Sequence, residues 1–403
     1  MPRQIPADAV AVLGAARTPF GKFGGALTPL PLPDLGAVAV VGAIERAGVS
    51  RDDIEELVMG VNFPGAERSV ARQVLLRSGL PQERVAYTVD RACCSSLAAV
   101  TAVSRSLRLA ESSVALAGGV DNLSRVPYFL PALRFGNRLG DVVLTDQLVV
   151  ACPHTGVPRA VQAGLEATEY GVSRREQDEW AVRSQQRYAA AAAEGFFERE
   201  TVPVATTDRH GAPVALARDE VPRPSVTVEQ LAGLPTVYDS PTVTAGNAPN
   251  MSAGASALVL ASMAYAGRSA AGGPLVTVSA CTQVSGDPQR LASMPARAAR
   301  RALSRAGIGL DQVDLIEVNE AFAAVPLVTT LELAGGDRGR AEQLRSITNV
   351  NGGAIAIGHP TGASGGRLLM TMINALTARG GGTGVVTICG GVGEAEAMLV
   401  EVR

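Results

Sequence analysis

The sequence is short of the residues that metal and disulfide chemistry need. Three histidines occur in 403 residues, and the five cysteines (Cys93, Cys94, Cys152, Cys281 and Cys389) are odd in number, scattered and without C-x-x-C spacing. That pattern disfavours both a zinc site and a disulfide framework. An excess of charge of one sign is also missing: the net charge is -2, so neither nucleic acid nor an anionic membrane surface is indicated as a bulk partner. No uninterrupted apolar run is long enough to cross a bilayer, and the amino terminus M-P-R-Q-I-P-A-D-A-V has no apolar core followed by a cleavage site. A soluble, cytoplasmic protein is expected.

What is present reads as globular. Hydrophobic residues make up 47% and charged residues 18%, while 44 glycines and 24 prolines imply many tight turns. The length exceeds what one hydrophobic core usually supports, so two or three domains are expected. Ala9 to Ala15 has strand character, Leu35 to Ala47 carries apolar residues at helical spacing and stops at Gly48, and Ile54 to Gly60 returns to strand character. This alternation predicts the α/β class, with parallel strands joined by helical crossovers.

An internal repeat sharpens the prediction. A-I-E-R-A-G-V-S-R-D-D-I-E-E-L from Ala43 to Leu57 matches A-L-S-R-A-G-I-G-L-D-Q-V-D-L-I from Ala302 to Ile316 without a gap. V-A-L-A-G-G at Val114 to Gly119 stands beside V-T-I-C-G-G at Val386 to Gly391, which sets Cys389 against Ala117. The chain therefore reads as two copies of one α/β unit. Between them, Asn122 to about Pro241 has a different texture. Ser173 with Glu176 forms a capping box before a long alanine-rich helix that carries the only tryptophan, Trp180. Loops rich in Pro, Arg and Gly surround it, as expected of an insertion or lid that holds substrate. The expected domains are 1–121 with 242–268, an inserted 122–241, and 269–403.

Chemistry concentrates at a few points. Val85 to Val89 reads as a short buried strand and helical spacing begins at Ser95, so Cys93 and Cys94 fall at a strand-to-helix junction. Unpaired N–H groups and the helix dipole at such a junction make a thiol more readily ionised. The alternative is a small buried packing residue, and this stretch alone leaves both readings open. In N-V-N-G-G-A-I-A-I-G-H-P-T-G-A-S-G-G-R, Asn349 to Arg367, His359 is held between Gly358 and Pro360. It reads either as a base that activates a cysteine or as a loop histidine bonded to backbone. Val385 to Ile388 is a buried strand ending at Cys389, and V-N-E-A-F-A from Val318 closes the repeated strand, where α/β sheets place ligands.

Eight stretches in order over nearly the whole chain resemble the thiolase family, acyl-CoA C-acetyltransferases. They are R-T-P-F-G-K-F-G-G at Arg17, the cysteine stretch at Cys93, G-G-V-D-N-L-S at Gly118, S-R-R-E-Q-D at Ser173, T-V-T-A-G-N-A at Thr242, N-E-A-F-A at Asn319, N-G-G-A-I-A-I-G-H-P at Asn351 and C-G-G-V-G at Cys389. The resemblance implies a five-layer αβαβα fold of two similar halves with a loop domain inserted in the first, assembled as a homodimer or homotetramer. It implies Cys93 as the acylated nucleophile, His359 as its base and Cys389 as carrier of the α-proton of the second acyl group. Asn319 would hold a water that forms one oxyanion hole with His359, and the N–H groups of Cys93 and Gly391 would form the other. Claisen condensation or thiolytic cleavage of 3-ketoacyl thioesters, in fatty acid metabolism, is the implied activity. Coenzyme A thioester is the substrate, and no metal or redox cofactor is implied.

The sequence departs from the family at its carrier-facing positions. Cys94 replaces the usual glycine after the nucleophile and reads as a packing residue. The H-M-G-x-T-A-E pattern is absent, with His154-Thr155-Gly156 a displaced remnant. Pro249 replaces the serine after T-A-G-N-A, Ser252 to Ala255 replaces N-D-G-A, and Leu234 stands where a basic residue is expected. Gly246, Pro249, Phe322 and Leu234 are the substrate-binding candidates. An intact core beside an altered carrier surface predicts an unusual acyl group or a carrier-protein thioester. The competing readings are a β-ketoacyl synthase-like condensing enzyme, which pairs its cysteine with two histidines or with His and Asn, a Cys-His hydrolase, and a non-catalytic acyl-CoA or lipid binder on the same scaffold.

Overall fold

The computed structural model describes residues 5–131, 133–148, 151–207, 211–268 and 273–403. Strand β1 (Val10–Arg17) is followed by α1 (Leu32–Ala47), β2 (Glu56–Gly60), α2 (Val70–Arg77), β3 (Val85–Val89), α3 (Ser95–Arg108) and β4 (Val114–Asn122). After a long excursion containing α4 (Arg159–Glu169) and α5 (Arg174–Ala193), the chain returns as β5 (Ser252–Ala261). The rest comprises β6 (Val276–Ser285), α6 (Met294–Ala306), β7 (Leu315–Val318), α7 (Ala324–Leu333), α8 (Ser364–Ala378), β8 (Gly382–Gly390) and β9 (Glu394–Val402).

The predicted repeat is visible as structure. Helix α1 has Pro33 in its first turn and stops at Gly48, whose φ of 64° is left-handed and favours glycine; a 3₁₀ turn at Arg51–Asp53 then leads into β2. Helix α6 has Pro295 in its first turn and stops at Gly307, φ 65°, and a 3₁₀ turn at Leu310–Gln312 leads into β7. The ladders correct the second match, however. Val58 pairs with Ala117, and its repeat equivalent Glu317 pairs with Val386, so Ala117 corresponds to Val386 and Cys389 to Val120, three residues away from the sequence alignment. Short apolar strands ending in Gly-Gly match at several registers, and only hydrogen bonding selects one.

The strands run in the order β7-β8-β9-β6-β1-β5-β4-β2-β3, in one continuous sheet. Its two halves meet through just two residue pairs of β1 and β6, Val10 with Val278 and Ala11 with Thr277. Helices α3 and α8 are packed between the half-sheets, in a core that includes Leu97, Val100, Leu258, Leu368, Val386 and Met398. Helices α1 and α2 cover the outside of the first half through Leu35, Val40 and Val74, and α6 and α7 cover the second through Ala299, Leu303 and Val328. This is the expected five-layer αβαβα arrangement.

Two local expectations are corrected. Only β2 with β3, β2 with β4, and β7 with β8 are parallel; the other strand pairs of the main path are antiparallel, because β5 returns from the excursion reversed and β8 turns tightly into β9. Strand β3 is also not buried. It lies at the sheet edge, with Val85 61% and Tyr87 40% exposed.

Candidate active site

Cys93 sits in the turn between β3 and α3. Ala92 adopts φ 50°, a conformation uncommon for a residue with a Cβ, and the turn is held by Asp90, which accepts from the Ala92 N–H at 2.9 Å. Ser95 accepts from the Arg91 N–H (2.8 Å) and donates to the Ala92 carbonyl (2.6 Å), so the first helical residue braces the turn before it. Gly119 lets the strand end approach closely, since any Cβ there would overlap the carbonyl of Gly362. Cys94 points away from the site. It is fully buried, and its thiol meets the Ile388 carbonyl at 3.5 Å.

His359 is delivered by the glycine-rich turn before α8. Its N–H donates to the Asn250 carbonyl (3.2 Å) and to Ser252 Oγ (3.3 Å). Asp121, at the end of β4, fixes the following residues by accepting from the Gly362 N–H (2.6 Å) and from Thr361 Oγ1, as well as from the N–H groups of Asn62 and Phe63. Burial pushes the Asp121 carboxyl up to about 6 against the pull of these four donors. The two halves of the fold are thus clamped at the point where Cys93 and His359 meet.

Around the imidazole the bonding fixes a tautomer. Ser364 Oγ donates to the Pro360 carbonyl (2.9 Å), so its oxygen is left to accept from His359 Nδ1–H at 2.6 Å. Nε2 then presents a lone pair, 3.3 Å from Cys93 Sγ and 3.4 Å from Asn319 Nδ2. Burial, with Arg367 nearby, lowers His359 to about 3, so the ring is neutral at physiological pH and free to take a proton. Replacing Ser364 with alanine is expected to lower kcat on the order of 10²-fold by releasing the tautomer, a part of what a positioned base supplies, with threonine restoring most of it. Equal kcat in the alanine variant, measured at saturating substrate, would remove Ser364 from the mechanism.

Cys93 does not behave as its place before a helix suggests. Burial pushes its thiol up to about 12; Arg159 pulls it down and Asp121 pushes it further up. Helix α3 begins only at Ser95, so the dipole acts at a distance while desolvation acts in full. The resting pair is neutral thiol and neutral imidazole, and proton transfer must accompany attack. Alkylation of Cys93 by iodoacetamide should therefore rise about tenfold per pH unit from pH 7 to 10, because thiolate is the reactive form. A plateau below pH 8 would instead mean a preformed thiolate–imidazolium pair.

Cys389 closes β8 and is buried; burial and the neighbouring Cys93 both raise its pKa. Asn319, fully buried past β7, donates its N–H to Thr387 O (3.0 Å), and its side-chain Oδ1 has no hydrogen-bond partner. Glu320 beside it accepts from Trp180 Nε1 (2.9 Å), Asn349 Nδ2 (3.0 Å), Ser184 Oγ (2.8 Å) and the Ile355 N–H (3.0 Å). The single tryptophan of the chain thus ties α5, whose Ser173–Glu176 capping box is formed as expected, to the catalytic turns.

Cys93, His359, Cys389, Gly391, Phe322 and Pro249 line one cavity of about 620 Å³, while Asn319 and Glu320 lie buried behind its wall. Gly246 and Leu234 stand off that wall, with the Leu234 side chain packed against the Gly246 backbone. His154 is exposed in the turn after Cys152, and His210 lies outside the described residues. Among the described residues no cluster of His, Cys, Asp and Glu has the makings of a metal site, and no helix is long and apolar enough to cross a membrane. Sequence reasoning missed Ser364, Asp121 and Arg159. The first two lay inside recognised stretches, but nothing in their spacing announces a bond to His359 or to its loop.

A thiol against a neutral imidazole, with a second buried thiol on the same cavity wall at the strand ends of a duplicated α/β sheet, defines a cysteine-dependent acyltransferase. Family models for the thiolase N-terminal and C-terminal domains match residues 10–264 and 273–402, and the chain belongs to the thiolase family. It is 39% identical to an acetyl-CoA acetyltransferase of Cupriavidus necator over 97% of this chain and 99% of that one. Among solved structures, human mitochondrial 3-ketoacyl-CoA thiolase superposes with TM-score 0.92 at 35% identity, covering 98% of this chain and 100% of that one. A Bacillus anthracis acetyl-CoA acetyltransferase gives the same TM-score at 32% identity, covering 98% of each.

Proposed function

We propose that the enzyme condenses or thiolytically cleaves 3-ketoacyl thioesters of coenzyme A through an acyl-Cys93 intermediate. The observation that carries this reading is the 3.3 Å approach of His359 Nε2 to Cys93 Sγ, with the opposite ring nitrogen committed to Ser364. His359 takes the thiol proton as Sγ attacks the thioester carbonyl and returns it to the departing coenzyme A sulfur. Cys389, as its thiolate, then takes the α-proton of the second acyl thioester, whose carbanion attacks the acyl-Cys93 carbonyl; the bond to Cys93 Sγ breaks and the departing sulfur receives the proton Cys389 took, which restores both groups. The unpartnered Oδ1 of Asn319 supports a role in orienting a water that, with His359, faces one developing oxyanion; the N–H groups of Cys93 and Gly391 face the other. Two thiols and one imidazole complete the proton balance, so the reading requires no metal or redox cofactor.

Coenzyme A is favoured over a carrier-protein thioester because the cavity offers one histidine and a second thiol, where a synthase-like site would carry a second His or a His and Asn. The deciding experiment is intact-protein and peptide mass spectrometry after brief exposure to acyl-CoA, with Cys93→Ser as control. A label on Cys93 that disappears in the control supports the reading, and absence of label with acyl-CoA but not with acylated carrier protein would replace it.

The division into 1–121 with 242–268, 122–241 and 269–403 belongs to the same proposal, its last boundary falling at residues 269–272, outside the described residues. So do a cytoplasmic location, a place in fatty acid metabolism and a homodimer or homotetramer. The outer edge of β3, which has no further strand beside it among the described residues, with Val85 and Tyr87 exposed, and an apolar arm with Phe135 95% and Leu139 93% exposed support self-association. Light scattering should give a dimer or tetramer mass, reduced by Tyr87→Lys; a monomer at micromolar concentration would count against it.

A further inference from the structure

Arg159, the first residue of α4, lines the catalytic cavity, and the mechanism does not use it. Its guanidinium lies against the bare backbone of Gly391: Nη2 is 2.9 Å from the point a Cβ there would occupy. Among the described residues its one side-chain partner is Gln162, reached by Nη1 at 2.9 Å, and its buried Nε has no hydrogen-bond partner. Among the described residues no carboxylate is within ion-pairing distance of it. The other arginines of the region differ in this respect. Arg91, also on the cavity wall, is paired with Glu394 (2.9 Å) and Glu396 (3.1 Å), and buried Arg17 is paired with Glu200 and Asp219. A half-buried guanidinium on a largely apolar cavity wall, with no carboxylate paired to it among the described residues, is open to an anion entering the cavity.

The position of the charge decides which anion. Arg159 lines the same cavity as Cys93 and Cys389, and its charge pulls against the burial that raises both thiols, so it lies near the two sulfurs of the reaction. The phosphates of coenzyme A are separated from its own sulfur by the whole pantetheine arm, and they cannot reach a group packed on Gly391 while the thioester is at Cys93. The acyl chain can.

We propose that the acyl group transferred to Cys93 carries a second, ionised carboxylate, and that Arg159 is the residue that selects it. This rests on the acyl-transfer reading above. The Cys93 Sγ–carbonyl bond forms as the carbonyl–coenzyme A sulfur bond breaks, the thiol proton passes through His359 to the leaving sulfur, and the distal carboxylate stays unchanged in its clamp with Arg159.

The test is the rate of Cys93 acylation, read by rapid-quench intact mass spectrometry, with succinyl-CoA and glutaryl-CoA against butyryl-CoA and valeryl-CoA. In the wild type the dicarboxylic donors should lead their neutral counterparts on the order of 100-fold. Arg159→Met should bring that ratio to one or below, and Arg159→Lys should recover part of it. The inference is overturned if the neutral donors acylate the wild type as fast, while the acyl-transfer reading survives. It is also overturned if Arg159→Met slows both classes alike, which would make the arginine a general activator of the thiol. Failure of every acyl-CoA to label Cys93 would remove the underlying reading as well.

Discussion

Cys93→Ala is expected to lower turnover by about 10⁴- to 10⁶-fold while leaving the fold intact, the scale on which removing a nucleophile costs an enzyme. No neighbouring thiol is placed to substitute. Cys94 is turned into the core beneath Gly390, against the Ile388 carbonyl. Cys389 shares the cavity, but burial raises its pKa and, among the described residues, no imidazole stands within hydrogen-bonding reach of it in the way His359 stands to Cys93. Steady-state rates and peptide mass spectra of the variant test this together. A rate within tenfold of the wild type, with acyl label moved to Cys389, would exchange the roles of the two cysteines. Cys389→Ala should be the complement, with Cys93 still acylated and no carbon–carbon bond made or broken.

The second large effect is on stability. Glu320→Ala should cost about 4 kcal/mol, because four buried donors from α5, the Asn349 turn and the start of the His359 turn would lose their acceptor at once. Trp180 supplies its own reporter, since its indole N–H is one of the four. Denaturant unfolding followed by tryptophan fluorescence reads the loss, and a shift worth less than about 1 kcal/mol would mean the network is dispensable. Because the donors come from the inserted segment and from the turns leading to His359, the same variant should also slow catalysis by loosening the turn that carries His359.

Much of this arrangement was legible from residues alone. The pattern of helix, glycine stop and strand repeats at Gly48 and Gly307 because both stops need a left-handed residue, and such a requirement writes itself into sequence. The capping box at Ser173 is equally local. Cys93, His359, Cys389 and Asn319 stood out because each sits in a glycine-rich or strand-end stretch, while their roles came only from the resemblance to the family. What failed were statements about surroundings. The edge position of β3, the register that makes Cys389 the repeat equivalent of Val120, and the raised pKa of Cys93 all depend on which strands and side chains lie alongside.

By itself the sequence determined the α/β class, the duplication, the chemical groups available and the family, since helix stops, strand patterns and residue types are properties of short stretches of chain. Tertiary structure alone decided that His359 is neutral with Nε2 aimed at Cys93, and that Arg159, distant in sequence, lies against Gly391 with no ion-pair partner among the described residues. The physical reason is that desolvation, tautomer choice and charge balance are set by groups brought together from opposite ends of the chain, and no local pattern encodes them.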